Sequence, residues 1–154
     1  MEIQTKRLTI IPCSHQSLSS LNIDRQEVHN HILDYLNQLE QDPTLLGWGV
    51  WFVIDKNNNV IGDIGFKGKP DLNGCIEVGY GFKQEFHNQG FATESVKELL
   101  QWAFSCNSVT TIKAECRNDN IGSIRVLEKL GMQGIKSDGT MLKWRLPRPI
   151  KKMC

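Results

Sequence analysis

The chain has 154 residues, 40% of them hydrophobic and 23% charged, and 18 Lys and Arg against 17 Asp and Glu give a net charge of +1. That length suits one domain over residues 1–154, and the near-neutral balance argues against a nucleic-acid binder working through bulk charge. No apolar run approaches the roughly 18 residues of a membrane span, the opening residues are too polar for a signal peptide, and five scattered cysteines without a C-x-x-C pair fit reduced thiols, so a cytoplasmic protein without a metal centre is expected.

Residues 8–11 form a short β-type run ended by Pro12. Asp24 and Glu27 have capping-box spacing, flanked by Ile23 and Val28. Val28, Ile32, Tyr35, Leu36 and Leu39 then recur at helical spacing, which predicts a helix over residues 24–41 that Pro43 stops. Residues 50–54 and 60–66 are β-rich runs joined by Asn57, Asn58 and Asn59, a hairpin with turn residues that tolerate positive φ. A calcium loop at Asp55 is disfavoured, because Val60 stands where it needs Gly and Phe66 where it needs Glu.

Residues 75–82 read as a third long strand after a polar loop at 67–73. His87, Asn88, Gln89, Gly90, Phe91 and Ala92 then lead into Val96, Leu99, Leu100 and Ala103, a helix over about residues 90–105. Residues 110–116 form another strand. Asp119 or Asn120 can cap a helix with the stripe Ile121, Ile124, Leu127 and Leu130, which Gly131 closes. Residues 133–137 and 140–146 form a final hairpin around Asp138 and Gly139. The predicted order is β-α-β-β-β-α-β-α-β-β, an α/β fold with a mixed sheet.

A strand that delivers a Gly-containing loop into a helix start makes an anion site, because free N–H groups and the helix dipole both favour negative charge. Gly90 would let a phosphate approach the backbone closely. The loop has neither the Lys-Ser/Thr pair of a nucleotide-triphosphatase P-loop nor G-x-G-x-x-G. By itself it is equally a plain strand-to-helix turn. Asn120 and Ser123 at the next helix start are, alone, an ordinary cap.

Together, in this element order, they carry a resemblance. The chain resembles the GNAT superfamily of acetyl-CoA-dependent N-acetyltransferases, and within it the ribosomal-protein N-terminal acetyltransferase group. The likeness rests on T-x-R-L (Thr5, Arg7, Leu8), E-V-G-Y (Glu77, Val78, Gly79, Tyr80), Q-G-F-A-T-E (Gln89 to Glu94) and N-x-x-S…L-E-K-L-G-M (Asn120 to Met132). It implies a mostly antiparallel central sheet flanked by helices, with acetyl-CoA as co-substrate. It implies that backbone amides from His87 to Thr93 hold the pyrophosphate, that Tyr80, Gly81 and Phe82 pair with the pantetheine arm as an added strand, and that Asn120 and Ser123 reach the cofactor, Ser123 near the thiol. His87 stands where the family has Gln or Arg.

Acetyl transfer to an amine needs a base for the ammonium and a partner for the departing thiolate. Glu77 and Glu115 both sit in β-type runs and match positions used as base in different branches of the family; solvent exposure is the plain alternative for each. Relatives that use a Tyr acid on the second helix place it at Leu127, which cannot donate, so either the Ser123 hydroxyl, the best available donor, stabilises the thiolate or water protonates it. Trp102 and Phe104 read as packing, Trp48 and Trp51 as packing or cleft lining, and His29 and His31 as solvated. Arg125 and Lys129 could meet the 3′-phosphate or lie on a solvated face. The expected function is transfer of acetyl from acetyl-CoA to a primary amine, either a protein N-terminus, ribosomal included, or a small molecule. A non-catalytic acyl-CoA-binding module is the alternative. No nucleic-acid or membrane partner is expected, and the chain would act as a monomer or homodimer.

Overall fold

The computed structural model describes residues 1–21, 23 and 28–149. Eight strands form one sheet in the order β1-β2-β3-β4-β5-β6-β8-β7. They are β1 (Ile3–Gln4), β2 (Thr9–Pro12), β3 (Val50–Ile54), β4 (Val60–Phe66), β5 (Cys75–Phe82), β6 (Thr111–Arg117), β7 (Gln133–Asp138) and β8 (Met141–Pro147). Every neighbouring pair is antiparallel except β5 and β6. The mostly antiparallel mixed sheet flanked by helices is therefore as expected. Among the described residues no helix is long and apolar enough to cross a membrane.

Helices α1 (His15–Ser20) and α2 (Asn30–Gln41) lie on one face, and α3 (Phe91–Phe104) and α4 (Ile121–Lys129) on the other. The alternation of β3 builds both cores at once. Trp51 and Val53 join Ile64, Val78, Val96, Leu99 and Leu127 on the α3 side, while Val50, Phe52 and Ile54 meet Ile32, Tyr35 and Leu36 on the α2 side. Tyr35 lies so close over β3 that a Cβ on Gly49 would come within 2.0 Å of its ring, so only glycine fits there. Trp48, Trp51, Phe66 and Trp102 form an aromatic cluster with ring centroids 4.9–6.3 Å apart, Phe66 stacked on Trp102 and the other pairs tilted or edge-on. This confirms Trp102 as packing and makes Trp51, fully buried, a core residue.

Three local readings are corrected. The strand β1 and the helix α1 are additional elements; α1 starts from a capping box of two serines, in which Ser17 N donates to Ser14 Oγ (3.1 Å) and Ser14 N to Ser17 Oγ (2.8 Å). The helix expected from residue 24 begins at Asn30, with Val28 and His29 outside it, and its start is not capped by a side chain. The capping box of Asp24 and Glu27 falls outside the described residues. His31 is not merely solvated: its Nε2 meets Asp63 Oδ1 at 3.2 Å.

The remaining turns behave as read. Asp55 Oδ1 accepts from Asn57 N and Asn59 N at 2.9 Å each, and Asn58 takes φ 63°. That closes an Asx-type turn. At the far end Arg148 donates to the carbonyls of Phe104 (2.6 Å) and Cys106 (2.7 Å), which ties the end of β8 to the C-terminus of α3. Cys13, Cys75, Cys106 and Cys116 are all free thiols.

Candidate active site at the splay of the sheet

Among the described residues the one parallel pair of the sheet is also short. β5 pairs with β6 at Cys75, Ile76 and Glu77 only, opposite Thr111, Ile112 and Lys113. Beyond this row β5 continues to Phe82 and β6 to Arg117 without pairing to each other, so the two strands part. On its other edge β5 stays bonded to β4: Lys67 N donates to Glu77 O (3.0 Å) and Lys83 N to Ile61 O (3.0 Å). Backbone polar groups alternate sides along a strand. Those of Glu77, Gly79 and Gly81 are therefore committed to β4, and those of Tyr80 and Phe82 turn into the gap. The Phe82 carbonyl already meets His87 Nε2 at 2.8 Å, which leaves Tyr80 as the main free stretch of edge. Unpaired edge groups invite an added strand.

At the open end of the gap a 3-10 turn (Gln84–Phe86) leads into α3. Asn88 and Gly90 both take positive φ, 62° and 82°. Gly90 is the N-cap residue and brings no side chain to cap the helix. The first helical bond is Glu94 N to Gly90 O (3.0 Å), which leaves the N–H groups of Phe91, Ala92 and Thr93 without an intrahelical acceptor. Gln89 is turned back on Glu85 O (3.0 Å), so its side chain serves the turn.

The loop is braced by the start of the chain. Glu94 accepts from Thr5 Oγ1 (2.6 Å), Arg7 N (3.0 Å) and Arg7 Nε (2.7 Å). The Arg7 guanidinium lies over the Phe91 ring at 4.3 Å, and its Nη2 is 3.3 Å from where a Gly90 Cβ would stand. Thus T-x-R-L and the Glu of Q-G-F-A-T-E are two halves of one contact, and the ion-paired Arg7 guanidinium keeps its Nη2 donor beside the bare amides. Sequence reasoning assigned no role to Arg7; the eighty-odd residues between the partners hide the pairing from local pattern. Burial raises the Glu94 carboxyl, but its bonds to Thr5 and Arg7 outweigh that and hold it below the usual range.

The two carboxylates share a face. Glu77 stands opposite Lys113, and Glu115 is two residues further along β6, so both project from the side opposite α3 and α4. Glu77 lies in the last paired row, at the vertex of the splay, one-third exposed and ion-paired to Lys67. Glu115 is exposed on the diverging arm. On the same face an open cleft of about 1480 Å³ runs between α2 and the sheet, lined by His31, Tyr35, Trp48, Asp63, Gly79 and Gly81 among others. Gly79 and Gly81 have open space where a Cβ would stand, so the floor beside Glu77 is bare. Cys13 cannot serve this cleft as a nucleophile: it is fully buried, and burial and then Asp63 push its thiol up to about 12.

On the other face, α4 points its N-terminus at the gap. Asn120 Oδ1 accepts from Ser123 N (3.0 Å), so Asn120 caps the helix with its oxygen and keeps its amide nitrogen as a donor. Leu127 is 1% exposed and belongs to the core. Tyr80, from β5, reaches across and donates from its hydroxyl to Ser123 O at 3.5 Å. Among the described residues no three His, Cys, Asp or Glu side chains converge as metal ligands.

Residues 14–133 match the family model described as acetyltransferase (GNAT) domain. The chain is 40% identical over 86 residues to the uncharacterized N-acetyltransferase YjdG of Bacillus subtilis (strain 168), covering 55% of this chain and 51% of that protein. It is 31% identical over 96 residues to the uncharacterized N-acetyltransferase p20 of Bacillus licheniformis, over 61% and 54% of the two chains. The matches thus span about half the length of these curated relatives. Among solved structures, RimL, a ribosomal L7/L12 alpha-N-protein acetyltransferase in complex with coenzyme A, superposes with a TM-score of 0.75 at 14% identity, over 96% of this chain and 98% of the other. A GNAT-family acetyltransferase from Bacillus anthracis superposes with a TM-score of 0.70 at 22% identity, over 96% and 99%. Both superpositions cover nearly the whole of each chain, so the fold described above is one those structures share. The chain belongs to the GNAT acetyltransferase family.

Proposed function

We propose that this protein transfers an acetyl group from acetyl-CoA to a primary amine, and that the reaction takes place at the vertex of the β5–β6 splay. The observation that carries this reading is the coincidence of a free strand edge at Tyr80 with bare amides and a guanidinium at one end and a carboxylate at the other. The α3 amides of Phe91, Ala92 and Thr93 and the nearby Arg7 suit a pyrophosphate. The main chain of Tyr80 suits the amide-bearing pantetheine arm. From Phe82 back to Val78 is about 13 Å at roughly 3.3 Å per residue, a length comparable with that arm when extended. The thioester then falls beside Glu77.

The acceptor amine approaches over the bare floor of Gly79 and Gly81, from the face opposite α3. Glu77 removes its proton, directly or through water, as Lys67 yields to the incoming ammonium. Glu115 stands further out and serves the approach. On the opposite face the dipole of α4, with the donors of Asn120 and Ser123, favours the negative charge that develops on sulfur. The acceptor is a protein N-terminus or a small amine; the likeness to RimL, a ribosomal L7/L12 alpha-N-protein acetyltransferase, favours the former.

The test is coenzyme A release from acetyl-CoA with a panel of N-terminal peptides and small amines. At least one amine should raise release well above hydrolysis. With that acceptor Glu77→Gln should lose about 10²–10⁴-fold in kcat, the weight of a positioned base, and Glu115→Gln less than about tenfold. A protein that binds acetyl-CoA and acetylates nothing in the panel would be a binding module instead. Equal, small losses at the two positions would remove both carboxylates from the base role.

A further inference from the structure

We propose that the Tyr80 hydroxyl delivers the proton to the departing coenzyme A thiolate. This rests on the acetyl-transfer reading above and assigns the step for which the sequence shows no acid on α4.

Tyr80 is the residue of β5 that belongs to both sides of the gap. Its main-chain groups lie on the free edge, because β4 holds Gly79 and Gly81. Its side chain points to the α3 and α4 face, where it packs against the core that contains Ile124 and Leu127. The phenol therefore crosses beneath the splay to the first turn of α4, where its hydroxyl meets Ser123 O. In the proposed pose a pantetheine arm paired with Tyr80 on the strand edge runs toward Glu77, and its sulfur enters the gap that this ring lines.

The hydroxyl is held but not committed. Its bond to Ser123 O, at 3.5 Å, is at the outer limit of hydrogen-bond length, so exchange for a nearby thiolate costs little. Burial raises the phenol above its ordinary value near 10, which keeps the proton in place at neutral pH. The competing groups fit less well. Leu127 has no proton to give. The Ser123 hydroxyl is an aliphatic alcohol, a far weaker acid than a phenol, and suits a hydrogen bond to sulfur rather than proton delivery. In the step, the carbon–sulfur bond breaks with its electron pair on sulfur, sulfur takes the Tyr80 proton to leave as the free thiol, and the phenolate recovers a proton from water.

Free coenzyme A bound to the protein tests the contact without an acceptor. Its thiolate is followed by ultraviolet absorbance as pH rises, in the wild type, Tyr80→Phe and Ser123→Ala. A donor at the sulfur favours the thiolate, so the bound thiol should ionise roughly one pH unit higher in Tyr80→Phe than in the wild type, the weight of one hydrogen bond to a charge. Acetyl-CoA affinity should stay within about threefold, and kcat with the best amine of the panel should fall about 10²-fold. Replacing Tyr80 with a fluorinated tyrosine keeps the size and strengthens the donor, and should move the ionisation below that of the wild type. The same ionisation in the wild type, Tyr80→Phe and the fluorinated protein would overturn the proposal, as would a shift confined to Ser123→Ala. A wild type that turns over no amine would sink the acetyl-transfer reading alone, since the titration still reads the contact.

Discussion

At Gly90 the proposed binding role rests on backbone conformation. Its φ of 82° costs a side chain about 1–2 kcal/mol, although Asp tolerates that region better than most. A carboxylate at the N-cap returns about 1 kcal/mol, and at this position its Cβ would stand 3.3 Å from Arg7 Nη2. Gly90→Asp should therefore fold with a melting temperature close to that of the wild type. It should nonetheless weaken acetyl-CoA by at least roughly a hundredfold, because the new carboxylate takes the anion's place and repels it. Calorimetry on the folded variant checks both halves; unchanged affinity would remove this loop from the cofactor site. The importance of Gly90 was legible because a lone Gly between strand and helix marks a backbone turn that a side chain would strain or block. His31 was not, because its partner Asp63 lies on a strand 32 residues away and no local pattern joins them.

Among the elements, the brace between the N-terminal strands and α3 carries a pH dependence. Glu94 is ionised and bonded in the folded protein, and its carboxyl lies below the ordinary 4.5. Its contribution to stability is thus complete above pH 4.5 and is lost as pH falls through the lower, folded value. Glu94→Gln should cost about 1.5 kcal/mol at neutral pH and remove that part of the acid sensitivity. It should also weaken acetyl-CoA binding, because α3 loses the contact that fixes its first turn. Denaturant midpoints for the wild type and the variant at neutral pH and near pH 4 check this; parallel losses between the two pH values would mean that Glu94 contributes nothing to acid sensitivity. The strands β3, β4 and β5 were legible to the residue, since Gly49, the Asn57 to Asn59 turn and the loop with Gly68, Pro70 and Gly74 punctuate them. The strand β1, two residues long, and α1, six residues whose capping box has Ser17 where a Glu or Gln is the usual signature, offered too little pattern. The start of α2 was misplaced because Val28 continues the apolar spacing past the point where the backbone becomes helical.

At the scale of the whole molecule, the proposed function depends on where two strands stop pairing. Runs of apolar residues place β5 and β6, but nothing in them says that the pair is parallel or that it ends at Glu77 and Lys113, because pairing is set by non-local contacts. The resemblance to acetyltransferases supplied the proposed site that local pattern could not, and the splay is the physical feature on which that proposal rests. Amide hydrogen exchange with and without acetyl-CoA tests that proposal most directly. Binding should protect the N–H groups of Tyr80, Phe91, Ala92 and Thr93, and leave that of Gly81, already bonded to β4, with little change. Protection confined to the cleft beneath α2, or absent from Tyr80 while the cofactor is bound, would contradict the account.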